Sequence, residues 1–236
     1  MRWILPVLIA VSVCHAGDPP VPQESPVRVL VAVGGHTEAP SFFSVFDGYP
    51  ELSAVVTQHP EAFASDFRKK YDVVVLYDML SDLSEPERQH LKEFVESGKG
   101  VVSLHWAVLD YDAWPWWHQE VVGGKFIRPV NGEKVTQFKN DVDMVLRPVG
   151  QHPITAGIGP LHLVDEAYKK LWVSPKVHAL LETESPDSDR VVAWVSPYEK
   201  SKVVYIQAGH APSTYANPAY RKLVRNAILW SAGKLR

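Results

Sequence analysis

The chain has 236 residues, with 24 Lys plus Arg against 27 Asp plus Glu and a formal net charge of -3. Both signs are mixed along it, so no basic block points to nucleic acid, and past the first residues no apolar stretch is long enough to span a membrane. This length fits one domain with a core of adequate extent.

The elements begin with an address. Met1-Arg2 supplies a positive charge, Trp3 to Val13 is a short apolar run, and Ala16 precedes Gly17. That is the layout of a cleavable secretory signal over residues 1–16, cut after Ala16, which sends the chain to the periplasm or outside the cell. A buried first strand fits poorly with Pro6 and the polar "GDPPVPQESP" that follows. A lipid anchor on Cys14 would ask for a smaller residue than Val13 before it. Cleavage removes Cys14, the one cysteine, so the mature chain has no disulfide, thiolate ligand or thiol nucleophile. Residues 17–26 read as an extended, proline-rich linker, and residues 27–236 as a single domain.

Val27–Val33, Ala54–Thr57, Val73–Tyr77 and Val101–Leu104 are short, continuously apolar runs, the pattern of strands covered on both faces. Before the fourth run lies a helix. Ser84 and Glu87 make a capping box, Pro86 suits the first turn, Leu91, Phe94 and Val95 share a face, and Gly98 stops it. Strands alternating with helices predict an α/β fold with a mostly parallel sheet. In the second half "VDMVLRPV", "VHALLETES", "RVVAWVSP" and "KVVYIQAGH" read as strands, some antiparallel. A final helix runs from Pro218 to Ser231.

Ligands of open parallel sheets bind beyond the carboxyl ends of the strands. Three strands run into histidine there, at His36, His105 and His210, and a fourth ends on Asp78. Neighbouring, co-directional strands would gather these four side chains on one rim. Neutral imidazoles are ligands for zinc or a related divalent ion and also carry protons near neutral pH. The residues leave both uses open, with His36, His105 and His210 as the metal set and His105, His210 and Asp78 as the acid/base set. No G-x-S-x-G elbow and no phosphate-binding glycine loop occurs. Trp106, Trp114, Trp116 and Trp117 follow the third strand closely. Indoles pack cores, but beside histidines and acids at a cleft they also stack on sugars. Trp106, Trp116, Trp117, His36 and Glu166 are therefore substrate-binding candidates, with Asp110, Asp112, Glu120 and Asp165 as further polar groups.

The segments "YDVVVLYD", "LSEPERQHLKEFVESGKGVVSLHWA", "WWHQEVVGGKF", "HPITAGI", "DEAYKKLWV" and "GHAPSTYANPAYRKLVRNAILWSAGK" together resemble the ThuA-like (trehalose utilisation) family, over roughly Val27 to Lys234. The resemblance implies a flavodoxin-like three-layer α/β sandwich of the class I glutamine amidotransferase-like superfamily and a role in catabolism of disaccharides or keto-sugars. In amidotransferases the corresponding turn holds the catalytic cysteine. Here it holds His105, and an imidazole is no substitute for a thiolate attacking an amide, so glutaminase activity is not expected. The leading expectation is an exported enzyme, a hydrolase, lyase or isomerase of a small carbohydrate, with one divalent metal ion as a candidate cofactor. A non-catalytic carbohydrate-binding protein on the same fold is the alternative, and an interaction module of an exported assembly is a third reading.

Overall fold

Residues 25–59, 61–80, 82–129, 131–133 and 135–236 are described by the computed structural model. The expected signal segment and nearly all of the linker lie outside the described residues. The strands are β1 (Val27–Gly34), β2 (Leu52–Gln58), β3 (Val73–Asp78), β4 (Gly100–Leu104), β5 (Gly124–Lys125), β6 (Gln137–Pro148), β7 (Leu161–Lys169), β8 (Trp172–Val173), β9 (His178–Glu182), β10 (Val191–Val195) and β11 (Val203–Ile206). The helices are α1 (Glu85–Glu96), α2 (Pro212–Ala216) and α3 (Pro218–Ser231).

Nine strands form one sheet in the order β2-β1-β3-β4-β11-β10-β9-β6-β7, and β5 pairs with β8 apart from it. The first five strands in that order run parallel. From β10 onward every neighbour is antiparallel. Successive side chains leave a strand on opposite faces, and this divides the core. Val29, Val31, Val75 and Tyr77 pack with α3 through Leu223, Val224 and Ile228. Leu30, Ala32, Val74 and Leu76 pack with Leu91, Phe94 and Val95 of α1. The result is the flavodoxin-like three-layer sandwich, with antiparallel strands in its second half.

The helix signals hold locally. The backbone N–H of Ser84 donates to Glu87 Oε2 at 2.8 Å, which satisfies one of the orphan donors of α1. Asn217 receives the N–H groups of Ala219 and Tyr220 at the start of α3. One strand departs from expectation. β2 is not covered on both faces, and Val55 and Val56 are 46% and 43% exposed. It is an edge strand bonded to β1 alone among the described strands, so its apolar residues meet solvent on both sides.

The β6–β7 hairpin matters most for the site. β6 joins β9 only through Arg147 and Pro148, and its pairing with β7 slips between Lys139 and Val142. Such a bulge bends and twists a strand pair. The free part of the hairpin leans back over the carboxyl ends of the parallel strands. Residues of β7 thereby touch the segment after β11, although β7 is the far edge of the sheet order.

Candidate functional site

β1, β3, β4 and β11 are consecutive and parallel in the sheet. His36, Asp78, His105 and His210 follow or end these four strands and therefore share one rim.

His105 is the first residue after β4 and is fully buried, with φ at +50°. A left-handed conformation is strained for a side chain with a Cβ. It is the geometry of a tight strand-to-turn elbow, which lifts the side chain above the sheet edge. His105 Nδ1 lies 2.7 Å from the carbonyl of Gln207. A carbonyl only accepts, so Nδ1 carries the proton and Nε2 keeps its lone pair. Burial holds the imidazole down at about 3, so it is neutral at physiological pH. Its Nε2 is 3.4 Å from Glu166 Oε1 and 3.3 Å from the Tyr168 hydroxyl.

Glu166 and its neighbour come from β7 and divide the work. The Asp165 carboxylate, 1% exposed, accepts the backbone N–H groups of Gly209, His210 and Ala211 at 2.8, 2.9 and 3.0 Å, and that of Glu166 at 2.9 Å. Tyrosine hydroxyls hold the same segment from its carbonyl side. Tyr220 donates to Ala208, Tyr77 to Gly209 and Tyr215 to His210. Gly209 has φ at +142°, and a Cβ there would stand 2.7 Å from the Tyr220 hydroxyl. Only glycine fits between the strand end and that tyrosine. The loop that presents His210 is thus fixed on both sides.

Glu166 points the other way, toward the two imidazoles. Its Oε2 is 3.9 Å from His210 Nδ1, an atom that is buried without a hydrogen-bond partner. Burial raises the Glu166 carboxyl above the usual glutamate range, against the hydroxyl of Tyr168, the His210 ring and the Trp106 indole, which favour the anion. His105, Glu166 and His210 each offer one ligand atom, and all three atoms lie within 4.8 Å of one another. A donor set of two imidazoles and a carboxylate is one that holds catalytic zinc with a fourth position open. Zinc at about 2.0–2.1 Å from each ligand separates tetrahedral ligand atoms by about 3.3 Å. His105 Nε2 stands near that spacing from Glu166 Oε1, at 3.4 Å, while the set as a whole, within 4.8 Å, would have to draw together around an ion.

The expected metal set is His36, His105 and His210. Among the described residues the converging set has Glu166 in place of His36. The His36 ring instead packs on Trp106, whose indole also contacts His105 and His210 with ring centres 4.9 and 5.2 Å away. Asp78 is fully buried, with Oδ2 2.5 Å from His59 Nε2 and 3.5 Å from the Tyr111 hydroxyl. Beside it Asp110 is raised well above the carboxylate range by burial and then by Asp78. The parallel neighbours carry Asp78 to the rim, but its side chain turns into the layer beneath. It does not join the imidazole–carboxylate centre.

The tryptophans also divide. Trp106 lines a cavity of about 530 Å³ that includes Glu166, Tyr168, Leu109 and Phe126. Trp117 is fully buried in the α1 layer, and Trp116 packs on Tyr198, with Lys92 above its ring. Neither lines the cavity, because the π-helical turn Trp117–Val122 folds that segment onto the α1 side of the sheet. The other polar candidates also lie elsewhere: Asp112 pairs with Lys125, and Glu120 is exposed.

That turn carries a pH effect of its own. His118 is 2% exposed, its Nε2 bonded to the Tyr111 carbonyl. Burial, then the Lys125 charge, hold it down at about 4, against the partial opposition of Asp112. Below the unfolded value of 6.5 the unfolded chain binds the proton more readily than the folded one. Stability should therefore fall by about 1.4 kcal/mol per pH unit between pH 6.5 and 4 and then level off. Denaturant midpoints at pH 7 and pH 5 for the wild type and His118→Gln measure it. An equal loss in both would clear His118 as the cause.

Sequence reasoning passed over β7 as a strand and Tyr168 with it. The signal was present in "LHLVDEAYK", where Leu161, Leu163 and Asp165 share one face and Glu166 and Tyr168 share the other.

A sandwich of parallel strands with helices on both faces and its polar groups at the carboxyl ends of the strands defines a flavodoxin-like fold. Within that class the chain belongs to the ThuA family, described as trehalose utilisation, which matches residues 28–231. It is similar to a ThuA-like protein from Parabacteroides merdae at 17% identity and TM-score 0.77, over 89% of this chain and 92% of that one. A ThuA-like protein from Bacteroides uniformis is similar at 20% identity and TM-score 0.63, over 91% and 95%. A cold-adapted β-galactosidase from Rahnella sp. R3 shares the fold at 13% identity and TM-score 0.56, over 85% of this chain and 30% of that one. Among curated proteins none matches at a significant level.

Proposed function

We propose that this chain is a carbohydrate-directed enzyme whose centre is His105, Glu166 and His210. The observation that carries the reading is the meeting of three ligand atoms, one from each residue, within 4.8 Å, with Glu166 of the three lining an aromatic cavity. The family description, trehalose utilisation, supports a small carbohydrate such as a disaccharide or keto-sugar as the substrate class.

The residues suit either metal ligation or proton transfer. His105 Nε2 carries no proton because its other nitrogen donates to Gln207, the outer contact that orients a ligating histidine. A divalent ion held here would polarise a substrate oxygen or lower the pKa of a bound water. The chain's own groups do the rest. Trp106, Phe126 and Tyr168 present faces for sugar C–H groups and exclude water. Glu166, its pKa raised, is placed to take or return a proton at a carbon next to a carbonyl or at a leaving oxygen. Thiolate amide hydrolysis is not available at this elbow, since the residue there is His105.

The test uses zinc-loaded and chelator-treated protein on a panel of disaccharides, aryl glycosides and 3-keto-glycosides. Turnover that needs zinc and is lost in His210→Ala supports the enzyme. Turnover without zinc but still lost in His210→Ala assigns the centre to proton transfer. The aromatic cavity would also serve a non-catalytic carbohydrate-binding protein. Sugar binding with no conversion across the panel, in either metal state, decides for that second reading.

A further inference from the structure

The cavity beside the centre has one feature that neutral sugars do not require. Among its described lining residues Arg128 is the single cation. Its Nε is buried without a hydrogen-bond partner, and its Nη2 reaches only the Leu109 carbonyl, at 3.4 Å. No ion pair to Arg128 forms among the described residues. Asp110, whose carboxyl feels the Arg128 charge, accepts from the Leu80 N–H at 2.8 Å and is fully buried beside Asp78. Burial and then Asp78 raise that carboxyl well above the carboxylate range, against the Arg128 charge, and no hydrogen bond joins the two side chains among the described residues.

A guanidinium drawn partly out of water and left without an anion is costly. Its planar fork matches carboxylate or phosphate oxygens two at a time. The cavity also contains Glu166, which repels an anion placed next to it. A ligand with one charged end is therefore oriented, its oxyanion at Arg128 and its uncharged oxygens toward Glu166 and the imidazoles. The walls between are Trp106, Leu109, Phe126 and Phe138, and Phe138 is 60% exposed at the rim. Such walls suit a ring with C–H faces.

We propose that Arg128 forms an oxyanion subsite, so that the ligand of this cavity is a sugar-sized molecule bearing a carboxylate or phosphate group. This rests on the reading of the cavity as the carbohydrate site and narrows its substrate class to acidic sugars.

Calorimetric titration of the full chain with glucuronate and galacturonate, against glucose and galactose, tests it, with inorganic phosphate as a separate arm. The wild type is expected to bind at least one uronate roughly tenfold or more tighter than its neutral counterpart. Arg128→Gln should remove the difference, and Arg128→Lys should keep part of it. Phosphate binding with the same dependence on Arg128, in place of uronate preference, assigns the headgroup to a phosphorylated sugar. A wild type with neither preference overturns the subsite whatever the variants do, as does a preference that survives Arg128→Gln. Zinc titration of the same proteins separates the two readings. Uronate preference without zinc binding sinks the metal centre and leaves the subsite standing. Zinc binding without anion preference does the reverse.

Discussion

Asp165→Ala is expected to lower the free energy of unfolding by about 4 kcal/mol and to weaken zinc binding with it. Four backbone N–H groups end on this one buried carboxylate, three of them consecutive from Gly209 to Ala211. Alanine leaves them facing apolar surroundings, and a buried donor that loses its partner costs about 1–3 kcal/mol. Charge-assisted bonds stand at the upper end of what one hydrogen bond contributes. Tyr77, Tyr215 and Tyr220 still hold the carbonyl side, which keeps the loss below the sum of four separate bonds. Asp165→Asn should cost less, because one amide oxygen continues to accept while the amide nitrogen faces donors. Urea denaturation gives the stability change, and zinc titration shows whether His210 has lost its place. A loss under about 1 kcal/mol would mean that water reaches the freed N–H groups and that the loop is not held as described.

This dependence on Asp165 shows what sequence could and could not carry. The rim is legible, because continuously apolar runs ending on His36, Asp78, His105 and His210 imply parallel neighbours, and an open parallel sheet puts its sites at those ends. Which side chains then turn inward is not legible. Asp78 sits at the rim by register, but its carboxylate finds His59, a residue after the edge strand β2 that only folding brings close. Glu166 enters from the opposite direction. β7 is the far edge of the sheet, and it reaches His105 only because the β6–β7 hairpin bends at its bulge and leans over the strands. Periodicity reports which face a residue takes, not whether a hairpin folds back. The same limit applies to indole. Trp106 and Trp117 look alike in "LHWAVLDYDAWPWWHQEVV", yet the short turn after β4 puts Trp106 at the cavity while the π-helical turn begins with Trp117 in the core. Arg128 carried no pattern at all, since a lone arginine after a short strand is ordinarily a solvated surface residue.

Glu166→Gln is the sharpest probe of the centre, and it is expected to weaken zinc binding by about a hundredfold or more while leaving the fold in place. Glutamine has nearly the shape of glutamate, and its amide oxygen can still accept from the Tyr168 hydroxyl and the Trp106 indole, the two donors aimed at this side chain. Packing around it is therefore kept. What goes is the negative charge, and with it the one anionic donor between two imidazoles. Burial already disfavours that charge, so the wild-type carboxylate stands ready for a partner that repays its desolvation, and the amide gains nothing from the same ion. Thermal unfolding without metal should place wild type and variant within a few degrees of each other. Added zinc should raise the wild-type midpoint and leave that of the variant almost unmoved. Equal zinc stabilisation of both would show that Glu166 is not a ligand. The centre would then reduce to a pair of histidines with a proton-carrying carboxyl, and the turnover panel would be read as acid/base chemistry alone.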